Sequence, residues 1–429
     1  MGGAVSELGQ ATKLPLNQAT SNEFYVELTN LTSSTAQLQS TVQVTDNFTT
    51  TFRLCTFLVL FVLFATHTVA RHRTMFAMTS DGTGALKYQT DVAKPTPTGR
   101  ELAVQVFASG INRIDTYMMK GFMGTVPILG MEVSGLVSGV GPDCTSNFKI
   151  GDPVIALMSD SGQAEYAVVD ERSVLPLPRS MSFSDGAAIP EQWFTAFQLL
   201  HLVGEVQPGD RVLIHAGASG VGTAAIQLCR LVGAIPYVTA GSMEKIERCK
   251  ELGAENGFNY KEKEGDTAVW SSQVLNATDQ QGIDVILDCV GQTHVEGNLA
   301  VLRTDARWVL FGLMGGRSLP SAENFLKRIM SKRISLRSTT LRARSKEYKQ
   351  NLIARFGQEA LPHFMPSEGS TVAKLKLVVD SMYPLAETSN AYERMIGNLN
   401  VGKIVINVLS NANQVFGSGA KTVETKTGL

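Results

Sequence analysis

The residues best placed to do chemistry lie in one stretch, Val212-Leu-Ile-His-Ala-Gly-Ala-Ser-Gly-Val-Gly-Thr-Ala-Ala-Ile-Gln-Leu-Cys229. An apolar run enters a turn built on Gly217, Gly220 and Gly222, and Ala225 stands at the close-packing position. Small residues here let backbone N–H groups approach a pyrophosphate at a helix N-terminus. A strand before the turn and a helix after it make the Gly220-x-Gly222-x-x-Ala225 spacing a dinucleotide site rather than a bare motif. The end of the next strand selects the dinucleotide. An acidic residue there would bond a ribose 2′-hydroxyl. This chain has Thr239-Ala-Gly241-Ser242-Met-Glu-Lys245, with no carboxylate at the strand end. Gly241 leaves room, Ser242 donates, and Lys245 adds a cation one helical turn later, a set that suits a 2′-phosphate and hence NADPH. Glu244 points to another face and reads as solvated.

Metal and acid–base chemistry are poorly represented. His201, His215, His294 and His363 read as isolated core or surface histidines, and no paired acid and base is evident. The five cysteines (Cys55, Cys144, Cys229, Cys249, Cys289) are scattered, odd in number and without a C-x-x-C pair. That argues against a disulfide framework and for a reducing compartment.

The elements that must position the glycine turn follow a clear change of pattern. Glu101–Ser109 alternates like a half-buried strand, Ile128–Val140 is a glycine-punctuated β segment, and Lys149–Ala156 reads as a turn into another strand. From Ser184 onward strands and helices alternate: a helix over Phe194–Val203, strands at Arg211–His215, Ile235–Thr239, Asp284–Asp288 and Arg307–Phe311, and helices at Gly222–Val232 and Met243–Leu252. Such βαβ alternation predicts a doubly wound parallel sheet. A last strand is expected at Gly402–Val408. The basic stretch Lys327–Arg344, interleaved with Ile and Leu, reads as a strand or helix with a solvated face. At 429 residues and 44% apolar content the chain can bury more than one core. A net charge of −1 gives no field that would draw nucleic acid.

The first 74 residues differ. Residues 1–50 are rich in Ser, Thr, Asn and Gln without periodicity and read as mostly disordered. An apolar segment at 54–70, between Arg53 and Arg71-His-Arg73, falls at or below the roughly 20 residues of a membrane span. It reads as a signal anchor, as part of an organelle-targeting segment, or as an extension preceding a start at Met75. The sequons Asn30-Leu-Thr32 and Asn47-Phe-Thr49 carry little weight alone. Residues 409–429 read as a polar tail.

Residues 75–408 resemble the zinc-free quinone oxidoreductases of the medium-chain dehydrogenase/reductase superfamily, the zeta-crystallin-like group. The resemblance is carried by Asn112-Arg113-x-Asp115, Gly130-Met-Glu132-Val-Ser-Gly135, Gly151-Asp152-Pro-Val, Ala187-Ala-Ile-Pro190, Thr195-Ala, Gly209-Asp210, Ala216–Gly222, Gly241-Ser242-x-x-Lys245, Leu252-Gly-Ala254, Phe258-Asn-Tyr260 and Gly402-Lys403-Ile-Val. Trp193–Gly204 is most similar to the inducible quinone reductase branch. The resemblance implies an α/β fold: a GroES-like β-rich catalytic domain (75–192 and 336–408) with an inserted Rossmann doubly wound parallel-sheet domain (193–335), and NADPH in the cleft between them.

The resemblance implies 2′-phosphate contacts at Gly241, Ser242, Lys245 and Tyr260. It implies pyrophosphate contacts at Ser219, Gly220, Val221 and Gly222, and a nicotinamide near Asn112, Thr195, Phe311 and Leu313. Zinc dehydrogenases of the superfamily place Cys and His where this chain has Asn112 and Met131, both poor zinc ligands, so no metal is expected. Asn112 and Asp115 are then orienting groups. Without a Lewis acid, electron-poor acceptors are favoured: a quinone first, and as alternatives an enone or alkenal double bond, or an NADPH-binding regulatory or structural role with little turnover. The family's cleft tyrosine is absent. Phe122 or Met123 stands in its place, and Tyr117 faces elsewhere. A homodimer is implied by the resemblance alone. The expected location is cytoplasmic, with organelle targeting or membrane contact arising only through residues 54–70.

Overall fold

The computed structural model describes residues 73–413, except 123, 125, 264, 265, 320, 321, 367 and 369. The extension through residue 72, with its apolar 54–70 segment, lies outside the described residues, as do Met123 and the tail from 414 onward. Among the described residues no helix is long and apolar enough to cross a membrane.

The apolar runs expected as buried strands form a six-stranded parallel sheet. Its order from edge to edge is Asn256–Asn259, Ile235–Ala240, Arg211–Ile214, Ile283–Asp288, Leu302–Leu310 and Ser335–Ser338. Every residue of Ile283–Asp288 is buried, as a central parallel strand covered on both faces requires. The helices Gly220–Val232, Met243–Glu251, Thr267–Ala277 and Val295–Val301 connect successive strands. Chain order reverses between the neighbours Arg211–Ile214 and Ile283–Asp288. That switch point opens a crevice outside the carboxyl ends of the strands.

Thr74–Ser80 and Leu86–Ala93 pair in a small sheet of their own, and the remaining sheet is mostly antiparallel and brings the last described strand beside one near the start. Glu101–Ile111 is its centre, paired with Glu132–Val140, Tyr166–Asp170 and Lys403–Asn407. Pro153–Leu157 and Val174–Pro176 extend one side, and Val379–Pro384 the other. The register sets Ile404 opposite Ile111 and Val405 opposite Gly110, which brings Lys403 to the residues leading into Asn112.

Some elements differ from the sequence pattern. The helix expected over Phe194–Val203 starts earlier, at Pro190, where proline's fixed φ suits the first turn. Its second half, Gln198–Val203, widens into a π-helix. The basic stretch resolves into both options: a helix at Ala322–Ser331 and an edge strand at Ser335–Ser338.

Candidate active site

The glycine turn closes because side chains would not fit. A Cβ at Gly217 would lie 2.5 Å from Val238 Cβ. One at Gly222 would strike the carbonyls of Ala216 and Gly217, and one at Gly220 the amide of Gln192. Ser219 caps the Gly220–Val232 helix, its Oγ accepting from Gly222 N–H at 3.0 Å. Other first-turn N–H groups have no partner within the helix, which is what an anion needs. Ser219, Gly220, Val221 and Gly222 therefore stand together at the helix start. The turn is also tied to the other sheet, since Gly402 N–H donates to Ala218 O at 2.8 Å.

Gly241 and Ser242 follow the Ile235–Ala240 strand directly, and Ser242 Oγ accepts from Lys245 N–H at 3.3 Å as the cap of the next helix. A Cβ at Gly241 would lie 3.0 Å from Tyr260 Oη and 3.3 Å from Lys261 Cε. The four residues expected around a 2′-phosphate thus converge. Lys261, which the sequence reading missed, joins them; its signal was its place directly after Tyr260. Lys245 Nζ donates to Asn398 O at 2.6 Å. Burial, chiefly, holds the Lys245 pKa below the usual lysine range, with Lys261 and Arg394 adding to the effect.

No paired acid and base is evident in the sequence, and around Asn112 the structure brings together charged groups from separate elements. Glu132 and Lys403 form a buried ion pair, 0% and 2% exposed. Asn112 is held between them: its Nδ2 donates to Glu132 Oε1 at 2.8 Å, and its Oδ1 accepts from Lys403 Nζ at 2.6 Å. Glu132 Oε2 accepts the backbone N–H of Glu191 at 2.8 Å. Asp115 Oδ2 accepts the Asn112 N–H at 2.8 Å, while its Oδ1 has no hydrogen-bond partner. Gly110 must lack a side chain, because a Cβ would collide with the Glu132 carboxylate and the Lys403 stem.

Two of these carboxyls are shifted far from their ordinary range. Burial pushes Asp115 up to about 7, against the hydrogen bond from Asn112 and the charge of Lys403. Burial again, followed by the charge of Glu132, pushes Glu191 up to about 8. Glu132 and Lys403 were visible within the Gly130-Met-Glu132 and Gly402-Lys403 motifs. Glu191 carried no signal beyond its place before Thr195.

Thr195 lies one turn beyond Glu191 on the same helix. Phe311 and Leu313 follow the carboxyl end of Leu302–Leu310. Phe311 N–H donates to Asp288 O at 2.8 Å, and Leu313 packs where a Cβ on Gly291 would lie. Phe122 is 73% exposed, and Tyr117 is also exposed on the Arg113–Met119 helix.

The histidines need a further correction, because His215 and His294 are not isolated. Their rings meet edge to face at 4.7 Å. His215 bonds Thr239 Oγ1 at 2.8 Å and Asn298 Oδ1 at 2.7 Å. Asn298 in turn donates to Asp288 at 3.0 Å. Both rings are buried. Among the described residues no group of three or more His, Cys, Asp and Glu could hold a metal ion, and Cys144, Cys229, Cys249 and Cys289 are free thiols.

A doubly wound parallel sheet, a switch-point crevice and a glycine cradle that any Cβ would fill define a dinucleotide-binding enzyme. The residues present fit such a cofactor. Residues 220–358 match the zinc-binding dehydrogenase family and residues 98–179 the alcohol dehydrogenase GroES-like domain. The chain is 30% identical to human quinone oxidoreductase over 331 residues, covering 76% of this chain and 94% of that one. The mycobacterial protein Rv1454c, solved in complex with NADPH, superposes with a TM-score of 0.67 at 27% identity, over 78% of this chain and 99% of that one. The CurK enoyl reductase superposes at 0.64 with 26% identity, over 78% and 99%. The chain belongs to the zinc-free quinone oxidoreductases of the medium-chain dehydrogenase/reductase superfamily.

Proposed function

We propose that this enzyme reduces quinones with NADPH, with both molecules in the cleft between the two sheets. The observation that carries the cofactor is the strand end at Gly241, where Ser242, Lys245, Tyr260 and Lys261 gather and no carboxylate stands. The mycobacterial neighbour solved with NADPH supports the same reading. When bound, NADPH supplies the hydride. The chain's own residues do the rest. Ser219 to Gly222 seat the pyrophosphate on the helix N-terminus, and the cation pair of Lys245 and Lys261 discriminates the 2′-phosphate. Asn112, gripped on both sides of its amide, holds the nicotinamide end with Thr195, Phe311 and Leu313. Asp115 fixes Asn112 through its backbone.

The human relative's name supports a quinone as acceptor. A second reading, reduction of an activated carbon–carbon double bond, is favoured by the likeness to an enoyl reductase. Steady-state turnover of the full chain with NADPH, against one ortho-quinone, one para-quinone and one enone, separates the two. Tight NADPH binding without quinone turnover refutes the first.

The domain division is proposed as 75–192 and 336–408 around 193–335. A homodimer is the proposed assembly. Leu326 and Met330 stand exposed on the Ala322–Ser331 helix beside the edge strand Ser335–Ser338, an apolar face a second copy would cover. A cytoplasmic location is proposed on the likeness to the human relative.

A further inference from the structure

Two carboxyl oxygens near Asn112 are buried without a hydrogen-bond partner: Asp115 Oδ1 and Glu191 Oε2. Leaving a buried polar atom unpaired costs free energy, so each calls for a proton of its own or a group that arrives with a ligand. The two differ in access. Asp115 is fully enclosed, whereas Glu191 is partly exposed as a residue and lies in the first turn of Pro190–Phe197. Thr195 is four residues on, so the two side chains share a helix face. Glu132 ties Glu191 to Asn112, one carboxylate oxygen taking the Glu191 N–H and the other the Asn112 amide.

The charged groups around Glu191 come from every element packed on it. They are Glu132 from Glu132–Val140, Lys403 from Lys403–Asn407, Asp115 from Arg113–Met119 and Lys349 from Lys346–Glu359. Lys403 is engaged by Glu132 and Asn112, and Lys349 Nζ by Arg342 O at 2.8 Å. Among the described residues no cation forms an ion pair with Glu191, and the charge of Glu132 opposes its ionisation.

We propose that Glu191 is the proton donor of the site, giving its carboxyl proton to the acceptor oxygen that becomes anionic on reduction. This rests on the reading in which the acceptor lies beside Asn112 and Thr195. The balance is simple. The acceptor takes a hydride, two electrons and one hydrogen nucleus, and is left with a negative charge on oxygen. The Glu191 O–H bond breaks as the new O–H bond forms, and the carboxylate regains its proton from water after the product leaves. A quinone becomes a hydroquinone, and an enone a saturated ketone through its enol.

The test compares the full-length wild-type chain with Glu191→Gln and Glu191→Asp. The first readout needs neither cofactor nor turnover. Infrared titration of the cofactor-free protein should show two protonated-carboxyl components, one from Asp115 lost as pH rises through about 7 and one lost through about 8 that is missing from Glu191→Gln. The second is kinetic. Glu191→Gln should lower kcat about a hundredfold and leave the KM for NADPH unchanged, as removal of a general acid does. Wild-type kcat should fall on the alkaline side near pH 8, that fall should vanish in Glu191→Gln, and Glu191→Asp should restore part of the rate. An active enzyme whose Glu191→Gln variant keeps the carboxyl component that titrates near 8, or turns over within about threefold with the same pH profile, overturns the proposal alone. A wild-type chain inert toward every acceptor overturns the functional reading and the donor role together.

Discussion

The Glu132–Lys403 pair is the most exacting test of how this cleft is built. Both side chains are almost wholly buried, and both hold Asn112. Replacing Lys403 by Met keeps the stem and removes the charge. Glu132 is then left buried with no cation, and Asn112 loses the donor to its Oδ1. Breaking a buried pair by removing one partner costs roughly 3–5 kcal/mol. At roughly 2–4 °C per kcal/mol, melting should drop by about 10 °C. The double variant Glu132→Gln, Lys403→Met leaves no net buried charge, and its Gln can still meet Asn112 and the Glu191 N–H. It should melt well above the single Lys403→Met variant, giving a large favourable coupling in a double-mutant cycle. Thermal unfolding of the four proteins in one buffer measures this. A Lys403→Met variant melting within about 2 °C of wild type, or a double variant that loses the sum of the singles, refutes the claim that the pair is mutually compensating.

Two other consequences are open to direct measurement. Lys245→Ala should raise the KM for NADPH about tenfold or more and leave NADH nearly unchanged, since a charge-assisted contact contributes roughly 1.5–3 kcal/mol; equal losses with both cofactors would show that Lys245 serves the helix and not the phosphate. His215 and His294 are held neutral by burial, their pKa values pushed down to about 4 and about 3. The unfolded rings bind protons below about 6.5, so the stability their neutral forms contribute is full above that pH and is lost as pH falls toward 4. At pH 5 each ring costs about 2 kcal/mol, and His294→Gln should shrink the wild-type loss of stability between pH 7 and pH 5 by that amount; an unchanged difference would mean the ring is not buried neutral.

The nucleotide half of the site was legible in the sequence because its chemistry is local. The turn, its cap and the helix it opens lie within Val212–Cys229, and the 2′-phosphate group within Gly241–Lys245, with Tyr260 carried by the resemblance. In such motifs the strand–turn–helix unit fixes the geometry, and only the residue types need reading. Lys261 was missed because a lysine in a turn carries no signal of its own; it matters only through its approach to Gly241.

The reacting half is different in kind. Asn112, Glu132, Glu191 and Lys403 come from four separate elements, and Lys403 reaches Asn112 only because the chain's last described strand pairs with Glu101–Ile111. Antiparallel register, not spacing, decides that contact. A residue pair so far apart in sequence could not be recognised as an ion pair by inspection, and each member alone reads as an ordinary charged residue. Gly110 shows how tightly the register is then enforced. It sits within a strand, one residue before its end, where glycine is disfavoured, with an ordinary negative φ that any residue could adopt. Space alone excludes a side chain there, because the carboxylate of Glu132 and the stem of Lys403 fill it. A glycine in a strand with no turn to make is the one sequence signal that something large and buried crosses the strand at that point. The adjoining Asn112 says which end of the cleft it serves.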